Sequence, residues 1–152
     1  MLRDITQAYT QSATELTRDV YIRLPVELKD RYPEGTVLKV MKPLYGLAEA
    51  GAHWYQTYVS HHKDNLGMTY SPYDPCFLIT KEGEAFGMTG MQTDDTLNLG
   101  SVEFMQKEQR ELERAKFKAK PPITLEEGST EDFNSCRIHI KADGTIKITQ
   151  KG

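Results

Sequence analysis

Two short apolar runs close around a pair of carboxylates: Phe86-Gly-Met-Thr-Gly-Met91, then Asp94-Asp95, then Thr96-Leu-Asn-Leu-Gly100. Runs of this length with a tight polar connection predict two antiparallel strands, with the doublet near the hairpin tip. A lone hairpin is marginal in water, so the pattern requires a larger sheet, backed by helices. Two adjacent carboxylates at a turn also offer oxygens to a hard divalent cation, and Mg²⁺ favours oxygen ligands. By itself an acidic pair is a weak sign. The chain has 22 Asp and Glu residues and repeats the pattern at Glu126-Glu127 and Glu131-Asp132, where a solvated turn suffices.

The remaining elements can be read in order. Leu2 to Tyr9 reads as a strand end entering a turn or short helix. Asp4 has only three residues before it, which predicts a strand too short to hold a side chain rigidly. Val20 to Leu24 alternates as a strand and is stopped by Pro25. Pro33-Glu34-Gly35 is a turn before a second strand, Thr36 to Met41. From Ala48 to Asn65 the apolar positions recur at helical spacing through Ala50, Trp54, Tyr55, Tyr58, Val59, His62 and Leu66, and Gly67 supplies a left-handed stop. Cys76–Thr80 and Ala85–Met91 form a hairpin around Lys81 to Glu84. Ser101 caps a second helix that ends near Ala115. After Pro121-Pro122 the chain reads as loop until Cys136–Ile140, which turns at Asp143-Gly144 into Thr145–Ile148. Strands and helices do not alternate strictly, so the expected class is α+β: one antiparallel sheet with helices packed on one face, a single domain over residues 1–152.

Composition narrows the functions. At 38% hydrophobic residues, the chain suits a single-layer sheet backed by helices, or a piece of something larger. A net charge of −3 argues against nucleic-acid binding by bulk basicity, though not against a local basic groove. Cys76 and Cys136 are too few and too far apart for a disulfide scaffold, and Cys76 is expected to be a buried small hydrophobe. No apolar stretch reaches membrane-spanning length, and a soluble intracellular protein is expected. His53, His61 and His62 share the long helix without a complementary third ligand at metal spacing.

Asp4 and Asp94-Asp95 lie far apart in sequence, and strand pairing could bring them together. Three carboxylates within ~4 Å repel by roughly 1–4 kcal/mol per pair, so the arrangement calls for a cation or open water. Two divalent ions bridging three Asp side chains suit phosphoryl transfer.

Asp4-Ile5-Thr6-Gln7-Ala8-Tyr9 resembles the first catalytic motif of reverse transcriptases, Asp-hydrophobic-x-x-Ala-aromatic. Lys42-Pro-Leu-Tyr-Gly-Leu47, followed by Ala50 and Trp54-Tyr55, is similar to the Leu-Tyr-Gly-Leu…Trp-Tyr segment of Ty1/copia-type retrotransposon polymerases. Met91-Gln-Thr-Asp-Asp95 matches the acidic half of the Tyr-x-Asp-Asp box. Tyr73-Asp-Pro-Cys76 and Gly144-Thr-Ile-Lys-Ile-Thr-Gln150 follow the same pattern, closest to fungal members. The resemblance covers nearly the whole chain in the right order.

The resemblance implies a reverse-transcriptase palm, and RNA-directed DNA polymerase activity (a nucleotidyl transferase) on an RNA or DNA template with primer and deoxynucleoside triphosphates. Asp4, Asp94 and Asp95 would be both catalytic and metal-holding, carrying two Mg²⁺ ions, with Mn²⁺ as an alternative. Tyr9 would lie under the nucleotide sugar as a steric gate against the 2′-OH, the group that separates ribo- from deoxynucleotides. Glu49 and Gln92 would be further substrate contacts. The implied setting is intracellular, either cytoplasmic, including within virus-like particles, or nuclear, without a membrane, alongside the remainder of a retroelement polyprotein unless the gene is truncated. Four positions depart from the pattern. Gln92 replaces the usual Tyr of the acidic box, and Glu49 replaces a Gln, placing a carboxylate that triphosphate would repel. Gly51-Ala52 stand for Pro-Arg, and Ser135-Cys136 for Leu-Gly in the strand expected to grip the primer. The family's fingers and thumb are expected to be missing, which leaves an alternative: a truncated or co-opted remnant that binds a partner without catalysing.

Overall fold

Alternation along the central strands decides which side chains this protein buries. The computed structural model describes residues 1–151 and divides into two compact units, one formed by Met1–Gln7 with the chain from Val59 on, the other by Ala8–Tyr58. The first unit holds a five-stranded antiparallel sheet in the order β1-β7-β6-β5-β4. These strands are β1 (Leu2–Asp4), β4 (Met68–Tyr70), β5 (Phe77–Thr80), β6 (Gly87–Gln92) and β7 (Asp95–Gly100). The α+β class and the antiparallel sheet are therefore as expected.

Register separates the two faces of this sheet. Arg3 pairs with Thr96 and Thr96 with Met91; Asn98 pairs with Thr89 and Thr89 with Leu78; Gly100 pairs with Gly87. All of these residues share one face, because side chains alternate along a strand. Helix α2 (Val102–Arg114) packs against β7 and covers that face, seating the buried Phe104 ring on Gly87 and Gly100. Its start follows the sequence reading, since Ser101 is the N-cap and its Oγ accepts the Phe104 N–H at 3.3 Å. Glu103 in the first turn and Arg114 in the last suit the helix dipole. The covered face is unusually polar, with Thr89, Thr96 and Asn98 all buried and Thr89 Oγ1 donating to Asn98 Oδ1 at 2.6 Å.

Arg3, only 4% exposed, reaches across this interior. Its Nε and Nη2 donate to the two carboxylate oxygens of Glu108 at 2.7 and 2.6 Å, and Nη2 also reaches Gln109 Oε1 at 2.8 Å. This bidentate pair ties β1 to α2.

The sequence misjudged three parts of this unit. β1 is short, yet it is held from both sides: β7 pairs with it along one edge, and residues 118–123 bond along the other. On that second edge Leu2 N–H donates to the Ile123 carbonyl and Lys120 N–H to the Asp4 carbonyl, at 2.8 and 2.9 Å. The tail after Pro121-Pro122 is accordingly no plain loop, and it goes on to form β8 (Thr130–Phe133), the edge of a three-stranded sheet with β9 (Cys136–Ile140) and β10 (Ile146–Gln150). Asn134 and Ser135, at φ 48° and 60°, make the two-residue turn between β8 and β9. Cys76 is half-exposed rather than buried, because it precedes β5 in a turn where its N–H donates to Asp74 Oδ1.

The second unit carries a short 3-10 helix at Ala8–Gln11, another at Val26–Arg31, and a two-stranded sheet of β2 (Tyr21–Arg23) and β3 (Val37–Lys39). Trp54 and Tyr58 stack in its interior with ring centres 4.9 Å apart. Both lie on helix α1 (Ala50–Leu66), whose later turns belong to the first unit and which ends at Gly67 with φ 67°. The left-handed stop read from the sequence is there. Among the described residues no helix is long and apolar enough to cross a membrane.

Candidate functional site: a carboxylate cluster on the open sheet face

The face of the sheet opposite α2 presents acids. Asp4 stands directly across from Asp95, and Asp95 across from Gln92, in one row over three strands. Thr93 and Asp94 form the two-residue connection between β6 and β7. Thr93 takes the first turn position at φ 53°, where glycine is usual and a β-branched residue is strained. The Asp94 carbonyl accepts the Ile5 N–H at 2.8 Å, so the turn is fastened to the end of β1. Pairing thus brings together the three acids that the sequence singled out, and holds two of them as cross-strand neighbours, an arrangement that is repulsive without a counter-charge.

A cation is present. The Lys120 Nζ forms a short ion pair with Asp4 Oδ2. The pairing raises the Lys120 pKa, chiefly through its bond to Asp4, with Asp95 and Asp94 adding to the effect. No motif in the sequence marked Lys120 as a partner of these acids. The nearest signal was the Lys-x-Lys-x-Lys alternation, which marks an extended segment with one basic side. Asp4, Asp95, Lys120, Asp132 and Phe133 all line a cleft of about 230 Å³.

Asp95 has its pKa raised, first by partial burial and then by the charges of Asp94 and Asp4, with Lys120 acting the other way. A carboxyl that holds its proton more tightly when folded gives most stability at low pH and loses it as pH rises through the raised value. Asp95→Asn is therefore expected to stabilise the chain at pH 7. Solvent screening limits the gain to about 0.5 kcal/mol, roughly 1–2 °C in melting temperature. Melting curves should show the gain fading towards pH 3, where Asp95 is protonated in both states. A variant less stable than wild type at pH 7 would contradict the repulsion.

The donor set suits Mg²⁺, since it consists of hard carboxylate oxygens whose mutual repulsion an ion relieves. Among the described residues no three Asp, Glu, His or Cys side chains already converge on one point, so the carboxylates must turn to share an ion.

Of the other expected contacts, one shares the row of acids and two belong to the second unit. Gln92 is exposed at the end of β6. Tyr9 and Glu49 belong to the second unit. The Tyr9 ring is half-buried and lies 4.4 Å from that of Tyr45. Glu49 accepts from Arg18 through both oxygens, at 2.9 and 3.3 Å, which lowers its pKa. His53 Nδ1 lies 2.7 Å from Thr14 Oγ1 in that unit. In the first unit His61 and His62 are buried, and the His61 ring meets Phe117 edge-on at 5.1 Å. Burial is the main cause of the lowered His61 pKa. No protein-family model, curated protein or solved structure matches the chain.

Proposed function

We propose that this chain is the palm portion of a copia-type RNA-directed DNA polymerase, with Asp4, Asp94 and Asp95 as its metal-holding acids. The observation that carries the reading is the register of Asp4 against Asp95, with Asp94 fastened to Ile5, on the sheet face that α2 leaves uncovered. Mg²⁺ bound there would supply Lewis acidity for attack of a primer 3′-oxygen on the α-phosphate of a deoxynucleoside triphosphate. The residues' part is to hold fixed negative charge on rigid strands, two acids from neighbouring strands and one from the turn. In the same reading Tyr9 gates against the 2′-OH. Glu49, bonded twice by Arg18, is a neutralised pair rather than a bare carboxylate.

Template-directed primer extension with Mg²⁺ or Mn²⁺ tests this. Asp94→Asn is expected to lower incorporation by roughly 10²–10³-fold, the scale of losing several kcal/mol of charge stabilisation. Equal incorporation by both proteins would remove Asp94 from the role. A second reading, a retroelement remnant that binds without catalysing, is favoured by one observation: the Lys120 ammonium already neutralises Asp4. Extension by the wild-type chain would dispose of it.

A further inference from the structure

We propose that Lys120 is a built-in counter-ion of the carboxylate cluster, which a divalent cation must displace in order to bind. The inference rests on the polymerase reading and adds to it a competition between a side chain and a metal for the same oxygens.

The backbone places this lysine. Residues 118–123 run antiparallel along the free edge of β1, with Thr6 N–H donating to the Lys118 carbonyl and Lys120 N–H to the Asp4 carbonyl, each at 2.9 Å. Lys120 is thereby held beside Asp4, and its ammonium pairs with a carboxylate oxygen that a metal would need. The nearest other cation on β1, Arg3, points to the opposite face and is consumed by Glu108. The Lys120 side chain is 66% exposed and can swing into solvent without leaving a buried charge behind. The backbone bonds of residues 118–123 do not depend on the ammonium, so the strand stays in place when it leaves. Such a device lets the fold tolerate three clustered acids in the absence of metal. It makes divalent binding weaker than the same acids would give alone, because the ammonium must first be detached.

The test titrates the full chain with Mn²⁺ alone and reads free Mn²⁺ by electron paramagnetic resonance, a measurement independent of activity. Three proteins are compared: wild type, Lys120→Met and Lys147→Met. The last removes one positive charge from exposed β10, where the lysine makes no ion pair among the described residues. Lys120→Met is expected to bind Mn²⁺ about tenfold more tightly than wild type, the scale of one close charge–charge interaction near a surface. Lys147→Met should stay within about twofold of wild type, since exposed distant charges are screened. Binding by Lys120→Met that is equal to or weaker than wild type overturns the counter-ion role alone. Absence of binding in all three proteins overturns the polymerase reading on which it rests.

Discussion

Arg3→Met is expected to lower the free energy of unfolding by about 3–5 kcal/mol, because it strands the buried Glu108 carboxylate without its partner. Both side chains of this pair are sealed, at 2% and 0% exposure. Replacing both together, with Arg3→Met and Glu108→Leu, should recover most of the loss, since a buried ion pair exchanged for apolar groups is often near neutral. Urea denaturation measures both effects, and a single-variant loss below about 1 kcal/mol would show that the pair is not the brace of β1. The loss should depend on pH. Burial is the largest influence on Glu108 and raises its pKa, with Arg3 opposing it. A raised folded-state pKa means that stability is lost as pH climbs through it. Without Arg3 the raising influence dominates further, so the deficit is widest at neutral pH. It narrows on acidification, as Glu108 takes up a proton in the folded chain.

Gly100→Ala is expected to cost about 3 kcal/mol through steric overlap rather than charge. A β-carbon there would lie 2.6 Å from the Phe86 carbonyl oxygen and 2.7 Å from the Phe104 ring. Its cross-strand partner Gly87 is equally tight, with the ring at 2.3 Å. Phe104 can close over the sheet only because both positions lack a side chain. Gly90→Ala supplies the contrast, because its β-carbon would meet nothing closer than the Leu97 carbonyl at 4.0 Å. That change should stay within about 1 kcal/mol of wild type. A double variant, Gly100→Ala with Phe104→Leu, should show coupling, since it removes the ring contact and leaves the carbonyl contact in place. Equal stability of the two alanine variants would mean that α2 shifts freely over the sheet.

These two sites differ in how readable they were. Local signals served well: Ser101 caps α2, Gly67 ends α1 in the left-handed region, and Gly144 turns at φ 77° before β10. Each of these depends on residues within one turn of itself. β8 was missed because Thr130-Glu-Asp-Phe133 has little intrinsic strand character and becomes a strand only by pairing with β9. The extended run at residues 118–123 exists because β1 offers a free edge, which no window of sequence reveals. Asp4, Asp94 and Asp95 were singled out in the sequence, the doublet near a hairpin tip, and strand pairing brings them together. Lys120 and the Arg3–Glu108 brace were not, since each joins residues more than 100 positions apart. The covered face misleads in another way. Thr89, Thr96 and Asn98 are polar yet buried, and the apolar Leu97 and Leu99 fall on the open side.

The double-sided fastening of β1 also sets a clock on biosynthesis. Lys120 lies 116 residues after Asp4, and β7 follows β1 by more than 90. At roughly 5–20 residues per second a ribosome needs about 5–18 s to pass from β1 to β7 and about 6–23 s from Asp4 to Lys120. Until β7 follows, Leu2–Asp4 has no partner for either edge, and its second edge waits for residues 118–123. Contacts this distant along the chain also close slowly once both ends exist. The segment from Leu2 to Ile5 is thus made well before either of its partners and is among the last-settled parts of this sheet.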